Sequence, residues 1–329
     1  MSCLRIPSSQ RRSGRLPSRQ RGIALLVAIL LVAFGTIIAA AIGYENAMTA
    51  RRGAANLALD ESLLIGQGAE ALAAYGLREV QRADKTHTIY PGQGWDSPVG
   101  PVEVVPGVML EASLEDLQGR FNLNSLVSND GTPNLAAVAA FQQLLVMLNI
   151  EPKWAQYIVD WIDPDQIPSN PDGAEDSVYM GQNPPYRTPS TYITSASELL
   201  ALPGFGHDRY VKLAPYVVAL PITAKAINVC TASGYVLDAF LGSGKREFSL
   251  DPEGLAKNRA SAGGCFPKLA EYQQSFDKPP PADMFVQTSN YFRLTSFVTI
   301  GSAEFNLYSL LTQDAQGTVR TVLRSYTPD

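Results

Sequence analysis

The sequence predicts an α+β protein: a very long N-terminal helix packed on a small antiparallel sheet, with a large, mostly helical insert interrupting that sheet. Three observations lead there. An uncharged apolar run from Ile23 to Gly43 continues, without a proline, into Ala-, Leu- and Glu-rich chain as far as Ala83. Val108, Leu110, Ala112 and Leu114 alternate with period two, which suits a half-buried strand. Residues 284–326 return to β character, and turn signals at Ser289-Asn290, Gly301-Ser302 and Asp314 to Gly317 separate about three antiparallel strands there.

Composition bounds the function. A chain of 329 residues holds one large or two modest domains. Its charge is uneven: six arginines (5, 11, 12, 15, 19 and 21) and no acid fall in residues 1–22, so the rest sets 20 basic against 31 acidic side chains, a formal −11. Such a body argues against nonspecific nucleic-acid binding and favours cations as partners. Cys3 lies in the basic leader. Cys230 and Cys265 remain as an even pair, either a disulfide in an oxidising compartment or two buried thiols.

The first element is set by RQRGIALLVAILLVAFGTIIAAAIGYE, residues 19–45. At ~1.5 Å per residue its apolar part crosses a ~30 Å hydrocarbon core. The same helix, continued to Ala83, would be roughly 90 Å long. A basic leader, a glycine and an apolar helix running into an amphipathic one resemble the type IV pilin-like proteins. The resemblance implies that a prepilin peptidase cuts between Gly22 and Ile23 and that the new N-terminus is methylated; an uncleaved anchor is the alternative. Most members of that class carry Glu at the fifth mature position, to meet the N-terminal amine of a neighbouring subunit. Here that position is Val27, which implies a first or terminal subunit rather than a repeating one.

Residues 84–107 are rich in Pro and Gly and read as loop. After the strand near residue 110, residues 134–165 and 195–220 read as helical, and the C-terminal strands complete the sheet; two independent domains in sequence are the alternative. FNLNS at 121–125 and INVCT at 227–231 form a weak internal echo. ELLALPGFGHDRYVKLAPYV, around Leu199 to Tyr216, resembles a helix-hairpin-helix. That supports a competing reading, a membrane-anchored DNA-binding protein of an uptake system, although Asp208 beside the turn would repel a phosphate.

The long helix, DLQGRFNLNSL at 116–126, YIVDWIDPDQ at 157–166, PYR at 185–187 and the INVCTA run at 227–232 together resemble the minor pseudopilin K family of type II secretion systems. The resemblance implies a cleaved leader at 1–22 and a helix at 23–83 whose first 21 residues span the membrane. It further implies a pilin-like α/β domain from 84–121 and 270–329 around an insert at 122–269. The implied protein is single-pass in the inner membrane with its body in the periplasm. It sits at the pseudopilus tip, initiating assembly with minor pseudopilins I and J on the inner-membrane assembly platform, with no nucleic-acid partner.

Most site chemistry lies in DWIDPDQIPSNPDGAEDSVYMGQ, residues 160–182. Asp160, Asp163, Asp165, Asp172, Glu175 and Asp176 crowd six carboxylates into 17 residues, with Pro164, Pro168, Pro171 and Gly173 turning the chain. Hard cations such as Ca²⁺ take six to eight oxygens from loops of this kind. A solvated acidic turn is the plain alternative. The family resemblance implies calcium, held above all by Asp163, Asp165, Glu175 and Asp176, with Asp160 a ligand, a cap or a partner of Arg187. Zinc and redox metals do not suit an all-oxygen set. Catalysis is not expected: His87 and His207 stand apart from any nucleophile motif, and Gly242-Ser243-Gly244-Lys245 lacks Walker spacing. A hydrolase built on Asp160 and Asp163 is the weakest reading.

Overall fold

The computed structural model describes residues 20–224, 226–242, 244–276 and 281–327. The leader before Gln20, with Cys3 and five of its arginines, lies outside the described residues, as does Ser243. Two compact units, residues 1–60 and 61–329, divide the chain. The first helix, α1 (Gln20–Ala83), runs without interruption for 64 residues.

In the first unit every side chain from Ile23 to Ala47 is exposed. Among the described residues α1 is the one helix long and apolar enough to cross a membrane. A helix suits that environment because it satisfies its own backbone hydrogen bonds.

The second unit continues α1 from Glu61 and then adds β1 (Val99–Val105) and β2 (Val108–Asp116). An insert follows: β3 (Phe121–Asn122), α2 (Leu135–Met147), α3 (Trp154–Ile162), α4 (Asp176–Tyr179), α5 (His207–Leu213), β4 (Val217–Val218), β5 (Ile227–Asn228), α6 (Gly234–Asp238), α7 (Pro252–Ser261), α8 (Leu269–Gln274) and β6 (Phe285–Val286). The chain closes with β7 (Tyr291–Ile300), β8 (Ala303–Gln313) and β9 (Val319–Ser325). The five-stranded sheet has the order β1-β2-β7-β8-β9, antiparallel throughout. The α+β architecture is as the sequence predicts.

Three details differ from expectation. β1 falls in the stretch read as loop, because Gly100, Pro101 and Pro106 look like breakers. As an edge strand, exposed at all seven residues, it can carry a proline whose missing N–H nothing needs. The helical stretch 134–165 is two helices. Asn149, at φ +57°, takes the left-handed conformation just past α2, and Ile150 N–H donates back to the Leu145 carbonyl at 2.9 Å. Finally, β6 pairs in parallel with β5 rather than joining the five-stranded sheet.

Two cores result. Leu77 and Ala69 of α1 pack on Phe292, Leu294, Val298 and Leu311 of the sheet. The helix approaches closely at Gly66, where a Cβ would lie 2.5 Å from Leu307 Cδ2. Beside it Glu70, buried, accepts from Ser309 Oγ (2.7 Å), Thr321 Oγ1 (2.8 Å) and the Arg324 guanidinium (2.7 Å), pinning α1 to β8 and β9. The insert has its own core around Phe121, Phe141, Tyr179, Phe205 and Tyr272.

Asp116, at the end of β2, fastens the insert to the sheet. Its carboxylate accepts from Ser289 Oγ (2.6 Å), Thr231 Oγ1 (2.5 Å), Asn228 Nδ2 (3.1 Å) and Gln118 N–H (2.9 Å). The echo between FNLNS and INVCT has a structural counterpart. Asn122 and Asn228 each end a two-residue parallel strand, and each side chain accepts from the N–H two residues on, at 3.1 and 3.0 Å.

Candidate functional site

The acidic loop leaves the end of α3. Asp160 lies in the last turn of that helix, and Asp163 is its C-cap, in extended conformation before Pro164 stops the helix. The loop then folds back over Asp160, which is completely buried. Its Oδ2 accepts from Ser169 N–H (3.0 Å) and Ala174 N–H (2.7 Å). This return passes so close that a Cβ on Gly173 would collide with the Ser169 backbone and the Asp160 carboxylate, so glycine is required there by space. Glu175 follows at the start of α4 and turns inward, 2% exposed.

Asp160, Asp163 and Glu175 therefore converge: one carboxylate oxygen from each lies within 4.8 Å of the others. Asp163 Oδ1 and both oxygens of Glu175 are buried without a hydrogen-bond partner among the described residues. Burial, aggravated by the neighbouring carboxylates, pushes Asp163 up to about 7 and Glu175 up to about 8. Three acids, of which two lack protein donors, are costly to ionise together unless positive charge sits among them. The donor set is all oxygen and suits a hard divalent cation, with Asp160, Asp163 and Glu175 as its holders.

The other expected ligands lie elsewhere. Asp165 is exposed and accepts from Ile167 N–H at 2.7 Å, though its charge still bears on the cluster. Asp172 is exposed. Asp176 points away, accepting from Arg187 Nη1 (3.1 Å), Thr188 N–H (3.0 Å) and Thr188 Oγ1 (3.2 Å). Arg187 thus pairs with Asp176 rather than Asp160. Sequence reasoning missed the packing role of Gly173, visible only as the glycine of PDGAE, and missed Tyr179. That tyrosine is buried against Trp161, at 5.2 Å between ring centroids, and its hydroxyl is unpartnered.

The remaining singled-out residues place as follows. Cys230 and Cys265 are disulfide-bonded, with Cα atoms 4.4 Å apart, and both are buried. Gly22 and Ile23 lie in the first turns of α1, and Val27 is exposed. The hairpin at Leu199–Tyr216 is a packing module: residues 196–201 form a 3₁₀ turn capped by Ser195 and Glu198, and Phe205 is buried edge-on to Trp154. Arg209, the cation nearest its turn, is held by Glu151 at 2.7 and 2.8 Å, which also keeps the Glu151 carboxyl down at about 2. His87 and His207 are both exposed.

Comparison with known proteins gives a consistent picture. The family described as type II secretion system (T2SS), protein K, matches residues 119–222. Type II secretion system protein K of Pseudomonas aeruginosa is 31% identical over 319 residues, covering 93% of this chain and 92% of that one. The protein K of Pectobacterium carotovorum subsp. carotovorum is 31% identical over 326 residues, 94% of this chain and 97% of that one. Among solved structures, a chain of the GspK-GspI-GspJ complex from the enterotoxigenic Escherichia coli type 2 secretion system superposes with a TM-score of 0.71 at 23% identity, covering 84% of this chain and 100% of that one.

Proposed function

From the premise that the chain belongs to the type II secretion system protein K family, a family of minor pseudopilins, we propose that it is the subunit at the tip of the periplasmic pseudopilus. There it would nucleate the filament with minor pseudopilins I and J, so that the filament can export folded proteins across the outer membrane. The observation that carries this is α1. From Ile23 the helix has no charged residue until Glu45, its side chains are exposed, and the fifth position after Gly22 is Val27 instead of the carboxylate a repeating subunit uses. Further along, Leu57, Leu64 and Leu72 are more than half exposed and offer apolar surface to helices of partner subunits. The apolar segment anchors the protein in the inner membrane once, with the acidic, disulfide-bonded body in the oxidising periplasm. Its role is structural and not enzymatic; the buried carboxylates hold a cation rather than a substrate.

That cation is calcium in this proposal. Asp160, Asp163 and Glu175 would hold it, and when bound it supplies the positive charge their unpartnered oxygens lack. The protein's part is to fix the loop. Ser169 and Ala174 N–H groups orient Asp160, and Gly173 admits the close return that carries Glu175 inward.

Two measurements test these readings. Intact mass and N-terminal sequence of protein extracted from membranes of prepilin-peptidase-positive cells should show a start at Ile23 with an added methyl group; a start at Met1 would remove the pilin-type reading. Co-purification with pseudopilins I and J, and loss of secreted protein from the medium on deletion, are expected of a tip subunit. Normal secretion without the gene would refute the role. For the cation, Tb³⁺ should show luminescence sensitised through Trp161 and Tyr179 and displaced by Ca²⁺; no sensitised emission would exclude the site.

A further inference from the structure

We propose that the cleft at the C-terminal end of α1 binds the carboxylates of an acidic peptide segment on a neighbouring protein. The cleft, about 410 Å³, is walled by Arg78, Arg82, Lys85 and His87 on one side and by Gln316 and Gly317 of the β8–β9 turn on the other. A second pocket of about 170 Å³ shares Gln81 and His87 with it and leads to the amides of Asn290 and Gln313.

Cations in this place call for an explanation, since the chain after residue 22 carries a formal −11. Among the described residues no carboxylate lines the larger cleft. The nearby acids are already engaged. Glu79 pairs with Arg82 at 2.6 Å, and Asp84 accepts from Thr86 N–H (2.8 Å), Thr86 Oγ1 (2.6 Å) and Thr88 N–H (3.2 Å). Asp314, at the rim, accepts from Gln316 N–H (3.0 Å) and Thr318 N–H (2.8 Å). Arg78 and Lys85 have no carboxylate partner among the described residues, and Arg78 Nε donates to the Ala74 carbonyl at 3.3 Å. A helix C-terminus favours positive charge in its last turn, which accounts for Arg82. It does not account for Arg78, one turn earlier and a like-charged i,i+4 neighbour of Arg82, an arrangement that disfavours the helix.

His87 adds a second sign of construction. Its backbone has φ +54°, the left-handed region uncommon for residues other than glycine, and its N–H donates to the Asp84 carbonyl at 3.0 Å. Gln81 Nε2 lies 3.5 Å from His87 Nδ1, and the exposed imidazole lines the cleft, where a ring N–H can meet a ligand. A guanidinium fork, an ammonium and an imidazole N–H on one open cleft match the planar, acceptor-only carboxylate. The acidic body would repel a long polyanion, so a short acidic stretch fits better than nucleic acid.

This proposal goes beyond the tip-subunit reading and stands or falls without it. The test uses the full chain in detergent micelles and a fluorescein-labelled, C-terminally amidated hexaglutamate peptide, read by fluorescence anisotropy. Hexaglutamate should bind at least about tenfold tighter than hexaglutamine, and R78E/K85E should weaken it about tenfold or more. R78Q/K85Q should weaken it less, with an unchanged melting temperature, and affinity should fall as salt rises from about 50 to about 300 mM. Equal binding by wild type and R78Q/K85Q, or equal binding of hexaglutamine, would overturn the proposal. Displacement of the peptide by micromolar inorganic phosphate would overturn the peptide assignment in favour of a free oxyanion.

Discussion

Replacing Glu175 by Gln should have opposite effects with and without calcium. In the metal-free protein Glu175 and Asp163 have folded-state pKa values of about 8 and about 7, well above the ordinary carboxylate range. A raised folded value means that folding favours the protonated form. The stability these groups contribute is complete below about pH 4 and is lost as pH climbs through about 7 to 8. For Glu175 alone, three units between its ordinary value and pH 7.5 correspond to about 4 kcal/mol, of which coupling to Asp163 leaves roughly 2–4. E175Q removes that charge, so the EGTA-treated variant should melt about 5–15 °C above EGTA-treated wild type at pH 7.5. Calcium at about 100 times its dissociation constant adds about 2.7 kcal/mol to wild type, roughly 5–10 °C, and should add almost nothing to E175Q. Differential scanning calorimetry with EGTA and with Ca²⁺, at pH 5 and pH 7.5, reads all four states. Two results would sink the argument: a metal-free E175Q less stable than wild type, or a full calcium response retained by the variant.

Other perturbations probe the frame around the site. E70Q should cost about 1–2 kcal/mol at pH 7 in urea denaturation, because it weakens the ties to Arg324, Ser309 and Thr321, while half-exposed Arg324 keeps the ionic part small. Its partners hold the Glu70 carboxyl below its ordinary value, so that stabilisation is present at neutral pH and disappears as pH falls through the lowered value; an acid titration in which E70Q keeps the wild-type slope would contradict this. Joining residues 35 apart, the Cys230–Cys265 bridge should stabilise by about 4 kcal/mol, seen as a lower urea midpoint for C230S/C265S and for reduced wild type alike. G66V should cost about 1–3 kcal/mol, since its side chain would enter the space of the buried Leu307; an unchanged midpoint would mean that α1 can move off the sheet.

Much of the fold is legible because its signals are periodic. Phe292, Leu294, Ser296 and Val298 alternate along β7 and all face inward, and the uncharged run of α1 needs only counting. β1 was hidden because edge strands tolerate the prolines that forbid central ones. The pairing of β5 with β6 was hidden for another reason. β5 and β6 are two residues each, too short to show a period, and their pairing joins segments some 58 positions apart. The acidic loop was half legible. Composition located the six acids, but which of them converge depends on Pro164 ending α3 and on Gly173 letting the chain return over Asp160, and both are matters of backbone path.

That distinction separates a buried acid satisfied by the chain itself from one whose oxygens the chain leaves unpartnered. Asp116 is 6% exposed, yet four protein donors surround it. Asp238 is 1% exposed and accepts the N–H groups of Glu247, Phe248 and Ser249 at 2.7–3.0 Å. Both are satisfied by the chain itself, and the positive ends of those donors stand where a metal would otherwise be needed. Asp160 is intermediate, accepting from two backbone N–H groups. Asp163 and Glu175 are as deeply buried, but Asp163 Oδ1 and both Glu175 oxygens have no donor among the described residues. Burial therefore does not select the site; unmet acceptor capacity does. It selects Asp163 and Glu175, each with a carboxylate oxygen within 4.8 Å of the Asp160 carboxylate, and passes over Asp176, whose oxygens are taken by Arg187 and Thr188.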